Sequence, residues 1–251
     1  MLAIKAGGSV ITRGGEKPVF DRLSARRLAA ALSRLREPCL LVHGTGSFGK
    51  PPARRYGYLS GAIPDGAAVP VEDIRADLAR LHGLLVGELA RAGLRALSCP
   101  GRDYFRFSSG RLSLYRGAEL RRRLRSGFVP VINSDIFDCP AGFRVVSSDA
   151  LLAAVCAAFK PRLAVFLTGA PGLLDAAGEP VPAVRARKLA AIRRAMPDAA
   201  GDVSGGMKSK LAEVVRIAAC GCDVLLADGR APEIILEPGR AGKGTYVHAS
   251  R

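Results

Sequence analysis

Three glycine-rich segments, far apart in the chain, carry the residue types that bind phosphate. They span residues 5–9, 44–50 and 204–210; the first two follow short apolar runs, and the third contains two lysines. Because glycine has no Cβ, its backbone N–H groups can approach phosphate oxygens closely, and a helix that begins after such a turn adds its positive end. Lysine side chains supply mobile positive charge. The pattern predicts a phosphoryl-transfer site assembled from distant segments.

The order and spacing of these segments resemble the amino acid kinase superfamily, most nearly its isopentenyl phosphate kinase and fosfomycin kinase branch. The resemblance is carried by Lys-x-Gly-Gly-Ser-Val-Ile-Thr from Lys5, Gly-x-Gly-Ser-Phe-Gly from Gly44, Ser-Asp at Asp149, and Gly-Gly-Met-Lys-Ser-Lys from Gly205. It covers most of the chain, up to Thr245. It implies transfer of the γ-phosphoryl group of ATP, with Mg²⁺, to a small anionic acceptor.

The resemblance implies catalytic roles for three residues. In the family, the lysine that matches Lys5 contacts the transferred phosphoryl group, and the aspartate that matches Asp149 organises two catalytic lysines. Lys208, near a helix start, is predicted to lie over the β- and γ-phosphates of the nucleotide. Two lysines at one phosphoryl site need a compensating carboxylate, although Asp149 at a helix start also fits a purely structural role.

The acceptor site is predicted around the second glycine segment. Lys50 stands where the relatives carry a histidine that binds the acceptor's phosphate or phosphonate; lysine keeps its positive charge at neutral pH but loses directional hydrogen bonding. Gly14 replaces a second phosphate-contacting lysine of the relatives, and Arg13 or Lys17 is the candidate for the same space. Asp135 follows a predicted buried strand and either places the acceptor or caps a turn. The predicted acceptor-binding residues are Gly7, Gly8, Ser9, Gly44, Thr45, Gly46, Ser47, Gly49, Lys50 and Asp135.

The nucleotide site is predicted in the C-terminal part of the chain. Residues 168–172 occupy the place where the relatives carry Thr-Asp-Val-Asp-Gly, and both aspartates are absent here. Backbone atoms are therefore expected to shape this part of the pocket. Lys210 either assists in phosphate binding or is an exposed helix residue. The predicted nucleotide-binding residues are Thr168, Gly169, Gly172, Gly205, Gly206, Lys208 and Lys210, and no side-chain metal ligand is predicted.

The residue types favour an acceptor that is already ionised. An alkyl monophosphate such as isopentenyl phosphate has a second pKa near ~6, so its phosphorylation needs no general base. This fits a site rich in lysine and glycine, and a phosphonate follows the same logic. The changes at Gly14, Lys50 and 169–171 also allow a different class of protein, a nucleotide- or metabolite-binding protein with weakened catalysis.

Charge and composition indicate which classes of partner the chain is expected to bind. A net charge of +16 attracts nucleic acid, anionic membranes or phosphorylated ligands. The arginines are scattered, however, and with 6% aromatic residues there are few stacking platforms for bases, while no apolar run approaches the ~20 residues of a membrane span. We therefore predict a small-molecule partner, no nucleic acid and no membrane. Six cysteines without a repeating interval, and no leader, predict reduced thiols and a cytoplasmic protein, and the relatives imply a homodimer.

Short apolar runs alternate with helical patterns, which predicts parallel strands linked by crossover helices. Strands are predicted at 2–6, 38–43, 128–132, 163–168, 223–227, 233–236 and 245–247, with a small hairpin around 137–142. Helices are predicted after an Asp21 cap, at about 71–92, from a Ser148 cap to 159, at 188–196 and at 206–219, with 170–186 irregular. Together with the resemblance, this pattern predicts one domain over 1–251, a three-layer α/β/α sandwich with a mainly parallel central sheet. Its acceptor-binding lobe is 1–160 and its nucleotide-binding lobe is 161–251.

Overall fold

The structure is a computed structural model that describes residues 1–58, 63–108, 111–175, 177–196, 206–238 and 244–249. Its strands are β1 (Leu2–Ala6), β2 (Cys39–His43), β3 (Ala96–Ser98), β4 (Phe105–Ser108), β5 (Arg111–Leu114), β6 (Val129–Asn133), β7 (Asp135–Cys139), β8 (Gly142–Val146), β9 (Leu163–Thr168), β10 (Ala183–Arg185), β11 (Asp223–Asp228) and β12 (Thr245–His248). Its helices are α1 (Gly8–Ile11), α2 (Arg22–Ser33), α3 (Lys50–Arg55), α4 (Ala68–Arg91), α5 (Gly101–Tyr104), α6 (Gly117–Arg125), α7 (Ser148–Phe159), α8 (Ala186–Ala195) and α9 (Gly206–Ala219).

An eight-stranded sheet forms the centre of the molecule, in the order β10-β12-β11-β9-β1-β2-β6-β3. The strands from β11 to β3 pair in parallel. β12 is antiparallel to β11, and β10 pairs in parallel with β12. Two hairpins, β4–β5 and β7–β8, lie outside this sheet. The predicted mainly parallel sheet is therefore confirmed.

Helices cover both faces of the sheet, so each face has its own apolar core. On one face Leu2 and Ile4 of β1 pack in a cluster with residues of α2 and α4; on the other, Ala3 packs in a cluster with residues of α7 and α9. Every residue of β1 is buried. Strands covered on both faces have near-continuous apolar sequences, and the predicted three-layer sandwich is confirmed.

Two helix starts show how the sequence sets the boundaries. The carboxylate of Asp21 accepts a hydrogen bond from Ser24 N at 3.1 Å, so the predicted cap of α2 is confirmed. The predicted cap of α7 is wrong by one residue, because Ser147, not Ser148, accepts from Ala150 N at 3.1 Å. Ser147 has the extended backbone of a cap, with φ −74° and ψ 151°, and leaves Ser148 as the first helical residue.

Other differences have local causes. The predicted strand at 233–236 is wrong, because Pro232–Ile235 forms a 3₁₀ helix. Pro232 has no N–H and a fixed φ that suits a first helical turn, and Ile234 and Ile235 join the core without a strand ladder. The segment predicted as irregular contains β10, and α8 begins at Ala186, two residues before the predicted start. Among the described residues, no helix is long and apolar enough to cross a membrane.

Candidate functional site

The first two glycine segments meet backbone to backbone where β1 and β2 end. These strands are parallel neighbours, so the loops that follow them leave the sheet at the same edge. A Cβ on Gly8 would lie 2.1 Å from Gly46 N, and a Cβ on Gly44 would lie 2.7 Å from Gly8 N. Gly46 also has a φ of +50°, in the left-handed region. Residues without a side chain are thus needed for the two loops to touch.

Thr12 fastens the two loops to each other, although sequence analysis gave it no role. Its hydroxyl donates to Gly8 O at 2.8 Å and accepts from Ser47 N at 3.1 Å. The Ser47 hydroxyl in turn accepts from Val19 N at 3.2 Å. Residues 12–19 therefore hold the turn that contains Ser47.

A carboxylate between two ammonium groups forms the charged centre of the site. Lys5 Nζ, from β1, lies 2.8 Å from Asp149 Oδ1, and Lys210 Nζ, from α9, lies 3.6 Å from Asp149 Oδ2. The three side chains are 6%, 17% and 12% exposed for Lys5, Lys210 and Asp149. The structure thus brings together three residues that are far apart in the sequence.

The pKa shifts show how strongly these charges interact. Burial alone would raise the pKa of Asp149, but the charges of Lys5 and Lys210 outweigh it and hold this pKa below its usual value. Burial and the charges of Lys5 and Lys50 lower the pKa of Lys210, while Asp149 acts in the opposite direction. Lys50 is therefore close enough to affect Lys210. One carboxylate among three lysines leaves the centre with excess positive charge, which suits a polyanionic ligand.

These residues line a cleft of about 1050 Å³. Most of the predicted site residues face it: Lys5, Gly7, Gly8, Ser9, Gly44, Thr45, Gly46, Ser47, Gly49, Lys50, Asp135, Asp149, Thr168, Gly169 and Lys210. Gly14 also lines it, but Arg13 and Lys17 do not.

Some predicted nucleotide-binding residues lie elsewhere. Lys208 and Gly206 belong to α9 but do not line the cleft. Residues two apart on a helix point in different directions, and of these two lysines it is Lys210 that lies 3.6 Å from Asp149. Gly172 packs against Thr245, where a Cβ would lie 2.7 Å from Thr245 Oγ1. Gly205 lies outside the described residues.

The loop after β9 closes on itself without the family's aspartates. The Thr168 hydroxyl donates to Ala170 O at 2.9 Å and accepts from Ala170 N at 3.1 Å. A Cβ on Gly169 would lie 3.3 Å from Ser9 Oγ, so this loop also adjoins the first glycine segment. The Thr168 side chain therefore shapes the loop through its hydrogen bonds to the backbone of Ala170, as threonine side chains do in turns.

Asp135 combines a place in the cleft with a local structural role. Its carboxylate accepts from Ile136 N at 2.8 Å and lies 3.4 Å from Asn133 Nδ2 and 3.9 Å from Arg102 Nε. Burial raises its pKa. Asp135 is thus held by a turn at the start of β7 and also lines the cleft, while its role in placing the acceptor stays a prediction.

Part of the cleft has apolar walls that sequence analysis did not identify. They include Ile63, Ile74, Leu78 and Ile136, with arginines at 54, 111 and 144. Arg75 of α4 holds the β7–β8 hairpin in place by donating to Ile136 O from Nε at 3.0 Å and from Nη2 at 2.9 Å. This wall depends on contacts between α4 and a hairpin, which no local motif reveals.

In the part of the chain that the structure describes, no group of three or more histidine, cysteine, aspartate or glutamate residues is arranged to hold a metal ion. All six cysteines are free thiols. Burial raises the pKa of Cys39 to about 12, so this thiol is not a reactive one.

Comparison with known proteins gives a consistent result. The model of the amino acid kinase family matches residues 1–228. Isopentenyl phosphate kinase of Thermoplasma acidophilum is 26% identical over 249 residues, covering 98% of each chain, and that of Haloferax volcanii is 30% identical over 223 residues, covering 87% of this chain and 89% of the relative. A crystal structure of the T. acidophilum enzyme as a product complex superimposes with a TM-score of 0.79 at 24% identity, over 99% of this chain and 100% of that one. The predicted fold and the predicted phosphotransferase class are confirmed, and the chain belongs to the amino acid kinase family.

Proposed function

We propose that the protein is an ATP-dependent kinase that transfers the γ-phosphoryl group to an alkyl monophosphate of the isopentenyl phosphate class. The observation that carries this proposal is the meeting of Lys5, Lys210 and Asp149 beside two touching glycine loops, in a cleft whose walls are partly apolar. Relatives that align over nearly the whole chain are named isopentenyl phosphate kinase, which supports the same acceptor.

In the proposed reaction, Lys5 and Lys210 neutralise the negative charge on the transferred phosphoryl group. Phosphoryl transfer needs positioning and charge stabilisation more than covalent help from the protein. Asp149 holds both ammonium groups in place, since it contacts each of them. We assign this role to Lys210 rather than to Lys208, because Lys210 faces the cleft.

Backbone amides of the first glycine segment are proposed to bind the same group. Gly8 and Ser9 are the first residues of α1, so their N–H groups have no partner within the helix. Among the described residues, the N–H groups of Gly8 and Ser9 donate no hydrogen bond. Both residues line the cleft, which makes these amides available to phosphate oxygens.

The acceptor is proposed to lie between Lys50 and the apolar walls. Ile74 and Leu78 offer a surface for a short hydrocarbon chain, and Lys50 offers charge for its phosphate. None of the described cleft-lining residues is a histidine. A phosphate acceptor is already ionised near neutral pH, so the reaction needs no such base.

The proposed cofactors are ATP and Mg²⁺. Of the carboxylates that line the cleft, Asp149 is engaged by two lysines, Asp135 by its own backbone turn and Glu16 by Arg54. Mg²⁺ commonly binds through substrate phosphates with few protein ligands, so it fits this cleft as part of the nucleotide complex, where it neutralises phosphate charge. The homodimer, the cytoplasmic location and the division into two lobes stay predictions.

An acceptor screen with ATP and Mg²⁺ tests the proposal. Purified protein is assayed for ADP release with a panel of alkyl phosphates and phosphonates, and we expect the highest kcat/KM with isopentenyl phosphate. A higher value with a phosphonate would identify the fosfomycin kinase type. Tight ATP binding without ADP release on any acceptor would identify a binding protein instead.

Variants of Lys50 extend this screen to the predicted acceptor-binding charge. Removing its charge in Lys50→Ala is expected to raise the KM for the acceptor by roughly 10- to 100-fold, the effect of losing a hydrogen bond to a charged group, and to leave the KM for ATP less affected. Lys50→His is the matched variant. If it increases turnover on isopentenyl phosphate, the branch assignment gains support; if it abolishes activity on another acceptor, Lys50 determines a different specificity.

A further inference from the structure

A chain of hydrogen bonds runs beneath the second glycine segment, from Gly44 to the edge of the sheet. His43 Nδ1 lies 3.1 Å from Gly44 O, and His43 Nε2 lies 2.8 Å from His82 Nδ1. His82 Nε2 lies 2.9 Å from Ser98 Oγ. The two imidazole rings are stacked, with their centroids 5.1 Å apart. Both histidines are buried and neither lines the cleft.

Only one arrangement of protons satisfies this chain. Burial lowers the pKa of His43 to about 3, helped by His82, and burial lowers the pKa of His82 to about 4, so both rings are neutral. A neutral imidazole carries one proton. Because Gly44 O can only accept, His43 carries its proton on Nδ1. His43 Nε2 must then accept from His82 Nδ1, which leaves His82 Nε2 to accept from the Ser98 hydroxyl.

This chain fixes the peptide group that joins Gly44 and Thr45. Gly44 N donates to Ala6 O at 3.0 Å, and Gly44 O accepts from His43, so residue 44 is held on both sides. In a trans peptide the N–H points away from the preceding C=O, and no cis peptide occurs among the described residues. The Thr45 N–H is therefore directed away from the imidazoles. Thr45 lines the cleft, and in the described part of the chain its N–H donates no hydrogen bond.

We propose that His43 and His82 are positioning residues that aim the N–H of Thr45 at the anionic group of the acceptor. The identity of that anion rests on the proposed function. A donor held in place before the ligand arrives needs no reorganisation on binding, which is why fixed amides are effective anion ligands. A pair of apolar side chains would fill the same space, but it would leave the Gly44 carbonyl free to turn.

Imidazole ¹⁵N NMR tests the proton arrangement in the unaltered protein. The chain contains three histidines, and His248 on β12 serves as the internal reference. We expect the protons of His43 and His82 to be on Nδ1 and the Thr45 amide resonance to shift when isopentenyl phosphate is added. A proton on Nε2 of His43 would overturn the inference.

Kinetics of three variants test the effect on the acceptor. His43→Leu removes the donor to Gly44 O, whereas the amide of His43→Asn can replace Nδ1–H. We expect a KM for the acceptor raised roughly tenfold in His43→Leu, the upper effect of one net hydrogen bond, and a smaller rise in His43→Asn, with the KM for ATP unchanged. His248→Gln is the control. Equal rises in both KM values, or the same acceptor KM in all variants, would contradict the inference.

Two further measurements separate the possible failures. If His43→Leu does not fold, Ser98→Ala at the exposed sheet edge replaces it, since loss of the hydroxyl donor lets the His82 proton move to Nε2. If isopentenyl phosphate neither binds nor is phosphorylated, the proposed function fails. Inorganic phosphate then becomes the probe, and a Thr45 amide that does not respond to it would overturn the positioning role as well.

Discussion

Two glycines in the loops after neighbouring strands are needed for the contact between these loops as well as for the predicted binding of phosphate. Gly8 and Gly46 approach so closely that a side chain on either would overlap the other's backbone. The sequence pattern predicts glycine here because backbone amides must approach phosphate. The structure adds a second reason, the direct contact between two loops. At this site packing and chemistry therefore select the same residue type.

Gly46→Ala tests the packing reason. A Cβ there would lie 1.9 Å from Thr12 Oγ1 and would occupy a left-handed backbone position. We expect the free energy of unfolding to fall by roughly 2–5 kcal/mol, the sum of a left-handed backbone and overpacking, as measured by denaturant titration. Gly83→Ala is the matched control, because nothing lies within 4 Å of its Cβ in α4; it should stabilise by about 0.5–1 kcal/mol. Equal effects of the two changes would contradict this account.

A comparison of two lysines tests the composition of the charged centre. Lys210→Ala is expected to lower kcat by roughly 100- to 1000-fold, the usual effect of removing one group that stabilises transition-state charge. Lys208→Ala should lower it by less than about tenfold, because Lys208 lies outside the cleft. Single-turnover kinetics give both values. A larger loss in Lys208→Ala would instead favour the role predicted for it from sequence.

At the residue scale, the sequence predicts what motifs contain and misses what tertiary contacts create. Lys5 and Asp149 are predicted as partners, and the structure places their charged atoms 2.8 Å apart. The choice between Lys208 and Lys210 needs the orientation of α9, which a motif does not provide. Thr12 belongs to the first motif, yet its contact with Ser47 exists only because β1 and β2 are neighbours.

Helices α2 and α4 are joined by a cluster of ion pairs around Glu88. This carboxylate is 2% exposed and contacts Arg22 at 3.1 Å and Arg26 at 3.0 Å from α2, and Arg91 at 2.9 Å from its own helix. Burial would raise the pKa of Glu88, but the hydrogen bond from Arg26 and the charges of the three arginines hold it below its usual value. The cluster therefore favours the ionised carboxylate and ties α2 to α4, the helix whose Ile74 and Leu78 line the cleft.

Glu88→Gln is expected to destabilise the protein by about 1–3 kcal/mol, the range for hydrogen bonds to a charged group. The arginines are more than half exposed, so they regain water and limit the loss. Since the folded-state pKa is lowered, the contribution is present above the unfolded value of ~4.3 and is lost as the pH falls through the folded value. The Tm difference from the unaltered protein should therefore shrink on acidification below about pH 4.

The exposed pair of Asp77 and Arg80 supplies the control for this experiment. Its charged atoms lie 2.9 Å apart, and its side chains are 40% and 56% exposed. Asp77→Asn should change stability by less than ~0.5 kcal/mol, as is usual for surface pairs. A similar loss in Asp77→Asn and Glu88→Gln would contradict the special role of the buried carboxylate.

At the element scale, the sequence predicts the strands that are buried on both faces. β1 is apolar except for Lys5, and β9 is apolar up to Thr168, because helices cover both strands above and below. β3 is only three residues long and half exposed at the sheet edge, so it has no such pattern. The arginine-rich α6 was not predicted either, because its apolar contacts are limited to residues such as Leu120 and Leu124. Elements are thus predictable where burial, rather than a partner element, determines the sequence.

The charge of the whole molecule bears on how substrates reach the cleft. A net charge of +16 surrounds a cleft whose centre already has excess positive charge. Long-range attraction raises the rate at which anionic ligands arrive, and salt screens it. We expect kcat/KM for the acceptor to fall roughly 3- to 10-fold between ~0.05 and ~0.5 M salt, with kcat at saturation changing less. A kcat/KM that is independent of salt would show that this charge has no part in capture.

The same charge is the reason to test for nucleic acid, the partner that sequence analysis predicts to be absent. Binding of a basic protein to duplex DNA through phosphates alone falls steeply with salt. We expect any electrophoretic shift of a duplex to vanish at moderate salt and to show no sequence preference. A shift that persists at high salt would contradict the prediction.

The contact between Gly8 and Gly46 joins the loops that follow β1 and β2, and both loops line the cleft. These two loops cannot move apart without losing that contact and the two hydrogen bonds that Thr12 makes to them. We therefore expect the walls of the cleft to control the entry of substrates and the release of products. The β4–β5 hairpin forms part of those walls and stands outside the central sheet. We expect motion during turnover there rather than in the β7–β8 hairpin, which Arg75 holds to α4.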